Sequence, residues 1–155
     1  MTRKYLPISI DISRQKILVL GGDQSAASKI SILQRFGAEV EVISRKIIPE
    51  IKALGVPYKL KDYEASDLDG FLMVYSCFNN HELDKRVVSD AKARGVLVNI
   101  HDKPEFCQFI SPAVHQYKNM TVAVASNGQN VHNSIKLRNH LQAYLSETIE
   151  NIIEL

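Results

Sequence analysis

The fold of this chain is decided by residues 16–29, which read Lys16-Ile17-Leu18-Val19-Leu20-Gly21-Gly22-Asp23-Gln24-Ser25-Ala26-Ala27-Ser28-Lys29. An apolar run of strand length leads into a glycine pair, and a segment with helical periodicity follows. A second short strand, Val40–Ser44, is predicted after this helix. Strand, glycine turn, helix and strand in this order form a βαβ unit of the kind that binds dinucleotides. The predicted fold class is therefore α/β, with a Rossmann-like parallel sheet.

The glycine turn predicts a phosphate site at the start of the helix. Glycines let the backbone turn tightly, and the first N–H groups of a helix attract phosphate. Asp23 stands where the pattern Gly-x-Gly-x-x-Ala has its middle glycine, the residue that permits close approach of a pyrophosphate. Its carboxylate either opposes the pyrophosphate or caps the helix, and both remain open. The predicted cofactor-binding residues of this turn are Gly21, Gly22, Asp23, Gln24 and Ser25.

The ends of two other predicted strands complete the candidate cofactor site. Ser44 ends the second strand and is followed by Arg45 and Lys46, where many dinucleotide sites have an acidic residue for the adenosine ribose. These two cations either contact a phosphate or form a solvated basic turn. Asn79 follows the strand predicted at 71–76 and is a candidate for cofactor binding or for capping the next helix.

Length and composition suit a globular protein of one domain, or of one domain with a small appendage. The chain has 155 residues, of which 45% are apolar and 23% charged. A net charge of +2 does not call for nucleic acid, and no apolar run approaches the roughly 20 residues of a membrane span. Two cysteines without metal spacing, and no secretory leader, predict reduced thiols in the cytoplasm.

The order of the predicted elements divides the chain at residue 112. Strands at 58–60, 71–76 and 96–100, with a helix at 81–94, extend the sheet, so residues 1–112 form the predicted dinucleotide-binding, Rossmann-like domain. The tail has a predicted strand at 109–113, a polar break at 115–119, a strand at 120–126 and a helix at 131–155. That is too little for a core of its own. Residues 113–155 are therefore predicted as a small α+β extension that packs on the first part or on another chain.

Residues 91–113 carry a second signature, Ala-Lys-Ala-Arg-Gly-Val-Leu-Val-Asn-Ile-His-Asp-Lys-Pro-Glu-Phe-Cys-Gln-Phe-Ile-Ser-Pro-Ala. This segment closely resembles precorrin-2 dehydrogenases, which are also the amino-terminal module of siroheme synthase and read Ala-x-x-Arg-Gly-Ile-Leu-Val-Asn-Val-x-Asp-x-Pro-x-x-Cys-x-Phe-x-x-Pro-Ala here. Tyr5-Leu6-Pro7, Gly21-Gly22, Ala26 and Lys29 agree with the start of that family. The resemblance covers nearly the whole chain.

The resemblance implies an NAD-dependent oxidation of precorrin-2 to sirohydrochlorin in siroheme biosynthesis, carried out by a homodimer. Some family members also insert ferrous iron, which makes iron a candidate substrate, and no resident metal site is predicted. Asp102 falls on the aspartate implicated in the chemistry of the family, and Ser126 on a serine beside the tetrapyrrole pocket. The candidate substrate-binding residues are Asn99, His101, Ser126, Asn127 and Gly128.

Departures from the family pattern keep other functions open. Asp23 replaces a glycine, Phe78-Asn79-Asn80 replaces Thr-Asp-Asp, and residues 126–130 replace a Ser-Gly-Gly-x-Ser-Pro turn. One alternative is a tetrapyrrole-binding chelatase or carrier that has lost NAD, and another is a non-catalytic regulatory dimer. From the local sequence alone, Asp102 is either a general base or a turn residue that caps backbone N–H groups.

Overall fold

The computed structural model describes residues 3–152, which divide into two compact units. The larger unit runs from Pro7 to Phe109, and the smaller unit contains the described residues before Pro7 and after Phe109. Residues 5–10 belong to no strand. The domain boundary between residues 112 and 113 stays a prediction.

A parallel sheet forms the centre of the larger unit. Within the described residues its strands are β1 (Lys16–Leu20), β2 (Glu39–Ser44), β3 (Tyr58–Leu60), β4 (Phe71–Ser76) and β5 (Leu97–Ile100). They lie in the order β3-β2-β1-β4-β5. The apolar runs at 17–20 and 73–75 suit parallel strands that are covered on both faces. The predicted Rossmann-like α/β class is confirmed.

Helices cover the two faces of this sheet. They are α1 (Gln24–Arg35), α2 (Pro49–Ala53) and α3 (His81–Arg94). Ile17 and Val19 pack with Ile30 of α1, whereas Leu18 packs with Val87 of α3, because alternate residues of a strand point to opposite faces. Two separate apolar cores therefore hold β1 between α1 and α3.

The smaller unit contains a hairpin and a long helix. Strands β6 (Ala113–Tyr117) and β7 (Met120–Val124) pair antiparallel, and α4 (Val131–Ile152) follows. The prediction of a strand at 109–113 and a polar break at 115–119 is wrong. Pro112 has no N–H and comes just before β6, and the polar residues His115 and Gln116 pair with β7 in a ribbon that is only half-buried.

Helix α4 begins at Val131, as the sequence predicts. Its predicted end at residue 155 lies outside the described residues. Although α4 is the longest helix between residues 3 and 152, neither it nor another helix in that range is long and apolar enough to cross a bilayer.

Candidate active site

The carboxyl ends of β1, β4 and β5 are tied together at one edge of the sheet. The N–H of Cys77, just after β4, donates to the carbonyl of Leu20 at the end of β1, at 2.7 Å. The N–H of His101, just after β5, donates to the carbonyl of Ser76 at 2.9 Å. The strand order reverses between β1 and β4, which is where doubly wound sheets bind their ligands. We call this edge the crevice.

Close packing explains both glycines of the turn after β1. Gly21 has φ +129°, and a Cβ there would lie 3.0 Å from the Cβ of Cys77. At Gly22 a Cβ would lie 1.7 Å from the carbonyl oxygen of Lys46. The Gly22 carbonyl also accepts the N–H of Ile48 at 2.9 Å. The loop after β2 therefore lies directly against the glycine turn.

Asp23 caps the helix that follows this turn. Its Oδ1 accepts the N–H of Ala26 at 3.1 Å, which is one of the two arrangements that the sequence leaves open. Among the described residues, the N–H groups of Gln24 and Ser25 have no hydrogen-bond partner. A glycine turn with two unpaired N–H groups at the positive end of a helix fits a dinucleotide pyrophosphate.

The second strand ends beside the same turn. Ser44 is buried, and its Oγ would lie 2.9 Å from a Cβ at Gly22. Arg45 pairs with Asp62, with both side chains mostly exposed, and Lys46 is exposed. Since exposed ion pairs add little stability, this basic turn can exchange its partners readily.

Asn79 adopts a left-handed conformation after β4, with φ +52°. Helix capping falls to its neighbour Asn80, whose Oδ1 accepts the N–H of Leu83 at 3.1 Å. The side chain of Asn79 is therefore not the cap of α3. Its role in cofactor binding stays a prediction.

Asp102 follows β5 and presents its carboxylate to solvent. The residue has φ +57°, and its side chain is 86% exposed. The Nε2 atom of His101 lies 3.4 Å from its Oδ2. Whether this carboxylate acts as a general base or as a turn residue that caps backbone N–H groups stays a prediction. An exposed carboxylate beside an imidazole can accept or relay a proton.

Asn99 and Cys107 hold the far part of the loop after β5. Asn99 is buried, and its Nδ2 donates to the carbonyl of Phe109 at 2.9 Å. The Sγ of Cys107 lies 3.2 Å from both the N and the O of Ile100 and 3.3 Å from the carbonyl oxygen of Lys103. The loop is thereby folded back onto β5. Substrate binding by Asn99 stays a prediction.

A buried ion pair lies next to this loop, and sequence reasoning misses it. Asp84 of α3 has no exposed surface; its Oδ2 lies 2.5 Å from the Nζ of Lys103, and its Oδ1 accepts the Ser76 hydroxyl at 2.9 Å. Helical periodicity is the signal that identifies it. Asp84 lies three and seven residues before Val87 and Ala91, the other buried residues of this helix.

Lys29 of α1 brings a cation to the same region. Its Nζ lies 4.8 Å from the centroid of the Tyr75 ring. Burial lowers the pKa of Lys29, and the negative charge of the nearby Asp102 acts in the opposite direction. Burial also raises the pKa of the Cys77 thiol to about 12, so this thiol is neutral at pH 7. Lys29 is therefore partly withdrawn from solvent, unlike a fully solvated surface lysine.

The smaller unit contains the remaining predicted site residues. The Ser126 Oγ accepts the N–H of Asn130 at 2.9 Å, and the Ser126 carbonyl accepts the N–H of Gln129 at 3.0 Å. Asn127 and Gly128 both have positive φ, as their turn requires. Ser126 thus stabilises the turn before α4, and contact with a tetrapyrrole stays a prediction for all three residues.

Strand order, glycine turn and crevice together define an α/β dinucleotide-binding domain. Residues 8–113 match the family model described as "Putative NAD(P)-binding". The chain belongs to this NAD(P)-binding family.

The chain is also similar to siroheme synthases. It is 30% identical to siroheme synthase 1 of Cronobacter sakazakii over 155 residues, covering 97% of this chain and 33% of that protein. It is 35% identical to the siroheme synthase of Nitrosococcus oceani over 129 residues, covering 81% and 28%. The chain therefore spans about a third of the length of these curated relatives. The resemblance that the sequence predicts is confirmed.

A solved structure supports the same fold. The protein titled "SirC, precorrin-2 dehydrogenase" superposes with a TM-score of 0.75, covering 90% of this chain and 71% of that chain. At 20% identity, this likeness concerns the fold alone.

Proposed function

We propose that this chain catalyses the NAD-dependent oxidation of precorrin-2 to sirohydrochlorin, a step of siroheme biosynthesis. The observation that carries the proposal is the exposed carboxylate of Asp102 beside a crevice of an NAD(P)-binding fold. The similarity to siroheme synthases supports the choice of substrate.

Each group in the crevice has a distinct role in this reaction. The N–H groups of Gln24 and Ser25 bind the pyrophosphate, and the partly buried Lys29 adds positive charge. Oxidation removes a hydride and a proton from the macrocycle, and NAD, when bound, would supply the hydride acceptor. Asp102 accepts the proton, and the protein mainly orients the two reactants.

Binding and turnover measurements test this function. Purified protein is incubated without oxygen with precorrin-2 and NAD, and we expect sirohydrochlorin and NADH in equal amounts. Calorimetry with NAD and, separately, with sirohydrochlorin separates the alternatives. Binding of sirohydrochlorin without NAD would favour the chelatase or carrier, and binding of neither would favour the regulatory dimer.

Insertion of ferrous iron into sirohydrochlorin is a second candidate activity. The pairing of His101 with Asp102, at 3.4 Å, favours it, because both groups can take protons from the macrocycle. No group of three or more metal-binding side chains occurs in the described part of the chain, so iron is treated as a substrate. Iron insertion by the wild type and its loss in His101→Ala would support this activity, and no insertion by the wild type would contradict it.

We also propose that the chain forms a homodimer through its smaller unit. Val131, Ile135, Leu137 and Tyr144 of α4 are between 39% and 58% exposed. A hairpin and one helix bury little apolar surface by themselves, and a second copy supplies the missing cover. Light scattering is expected to give twice the mass of one chain. Leu137→Glu is expected to give a monomer and the control Lys136→Glu a dimer, whereas a folded wild-type monomer would contradict the proposal.

The cytoplasm is the setting that we propose for this activity. Cys77 and Cys107 are both buried, and neither forms a disulfide within the described residues. Thiols of this kind stay reduced in a cytoplasm. A disulfide-linked form isolated from cells would contradict this location.

A further inference from the structure

We propose, on the basis of the proposed precorrin-2 oxidation, that Asp84 is a positioning residue for Asp102. It acts through Lys103 and Ser76, which fix the backbone on both sides of the catalytic carboxylate. Asp84 itself lies within the protein, on α3, and does not reach the substrate.

Complete burial of Asp84 calls for an explanation. A carboxylate with 0% exposure is strongly unfavourable unless its oxygens are paired. Here Oδ2 pairs with the Lys103 ammonium at 2.5 Å, and Oδ1 accepts the Ser76 hydroxyl at 2.9 Å. Buried ion pairs add little net stability compared with apolar residues of similar size. We therefore infer that the role of this pair is to position the backbone next to Asp102 rather than to add stability.

The atoms held by Asp84 are the direct neighbours of Asp102. Lys103 follows Asp102 in the chain, and its ammonium is fixed by the ion pair. His101 precedes Asp102, and its N–H donates to the carbonyl of Ser76, the same residue whose hydroxyl contacts Asp84. One buried carboxylate thus anchors both ends of a three-residue segment.

Asp102 lies between these two anchored residues, and its own conformation makes it sensitive to their positions. Its left-handed backbone, with φ +57°, is a strained conformation that the surroundings must enforce. Its side chain is 86% exposed, with His101 as its contact. Without the charge of Asp84, the Lys103 ammonium moves toward solvent and draws the Asp102 backbone with it.

The variant Asp84→Asn tests the role of the charge. We expect kcat to fall at least about tenfold, because small errors in placing a general base slow the reaction. KM for precorrin-2 and Kd for NAD should stay within about twofold, since the bound groups are not touched. Hydrogen–deuterium exchange should accelerate in peptides that cover residues 99–106. Glu82→Gln, which breaks an exposed pair with Lys85 on the same helix, is the matched control and should change none of these values.

A second variant separates positioning from stability. Asp84→Leu combined with Lys103→Met replaces the pair by apolar side chains and is expected to restore the free energy of unfolding. In this variant kcat should remain low if positioning is the role. Recovery of kcat together with stability would overturn the proposal, and so would an unchanged kcat in Asp84→Asn. A wild-type protein that does not oxidise precorrin-2 would refute the proposed function instead. In that case, hydrogen–deuterium exchange at residues 99–106 in Asp84→Asn still tests whether Asp84 holds this segment in place.

Discussion

The two sides of the crevice are held in different ways. After β1, Gly21 and Gly22 pack against neighbouring loops with no room for a side chain. After β5, the loop is held by specific side chains, among them Asp84 and Cys107. A larger side chain should therefore disrupt the glycine turn after β1, whereas loss of a side-chain contact should disrupt the loop after β5.

The largest effect should come from the β5 side, with Asp102→Asn. Asparagine tolerates the left-handed backbone and keeps the shape, but it cannot accept a proton as the carboxylate does. We expect kcat to fall roughly 10²- to 10⁴-fold. Steady-state kinetics measures this change, and circular dichroism is the control for folding. Unchanged kcat at saturating substrate would reduce Asp102 to a loop residue.

On the β1 side, Gly22→Ala should be the most destabilising substitution. The new Cβ would lie 1.7 Å from the carbonyl oxygen of Lys46, so the loop after β2 must move. We expect the free energy of unfolding to fall by about 3 kcal/mol. Gly55→Ala is the control: its φ is +69°, but nothing lies within 4 Å of the new atom, and about 1 kcal/mol is expected. Equal losses in a urea titration would show that the contact with Lys46 is unimportant.

Cys77 lies between the two sides and should make stability depend on pH. Burial raises its pKa to about 12 in the folded protein, whereas an unfolded thiol titrates near about 8.5. The unfolded state therefore loses its proton first as the pH rises, and the free energy of unfolding falls. At pH 10 the loss should approach about 2 kcal/mol. Cys77→Ala lacks this thiol, so its free energy of unfolding should fall less between pH 7 and pH 10 than that of the wild type. An equal fall in the two proteins would contradict a role of Cys77 in the pH dependence.

The smallest effect should come from Asp23→Asn. Asparagine keeps the helix cap and removes one negative charge near the phosphate site. Because the side chain is exposed and already paired with the Ala26 N–H, we expect Kd for NAD and NADP to fall by no more than about fivefold. If calorimetry shows that the affinity for NAD rises more than tenfold in Asp23→Asn, the carboxylate of Asp23 directly opposes the pyrophosphate.

The β1 side could be predicted from the sequence because its determinants are local. Gly21 and Gly22 follow an apolar strand, and the start of α1 is encoded within a few residues of them. The β5 side could be predicted only in part. Asp102 is identified because the segment around it resembles a known family. The pairing of Asp84 with Lys103 joins residues 19 positions apart, so no local pattern in the sequence predicts it. The sequence misplaces the first strand of the hairpin for a similar reason, since polar β6 is specified by its pairing with β7.

Chemical modification of the Cys107 thiol can report when the loop after β5 opens. Cys107 is 2% exposed, and its sulfur lies among backbone atoms of the loop and of β5, so an alkylating reagent reaches it only when the loop opens. In Cys77→Ala, the rate of alkylation would therefore measure the free energy of this local opening. The same assay, made with and without ligand, can show whether substrate closes the loop before any chemistry occurs.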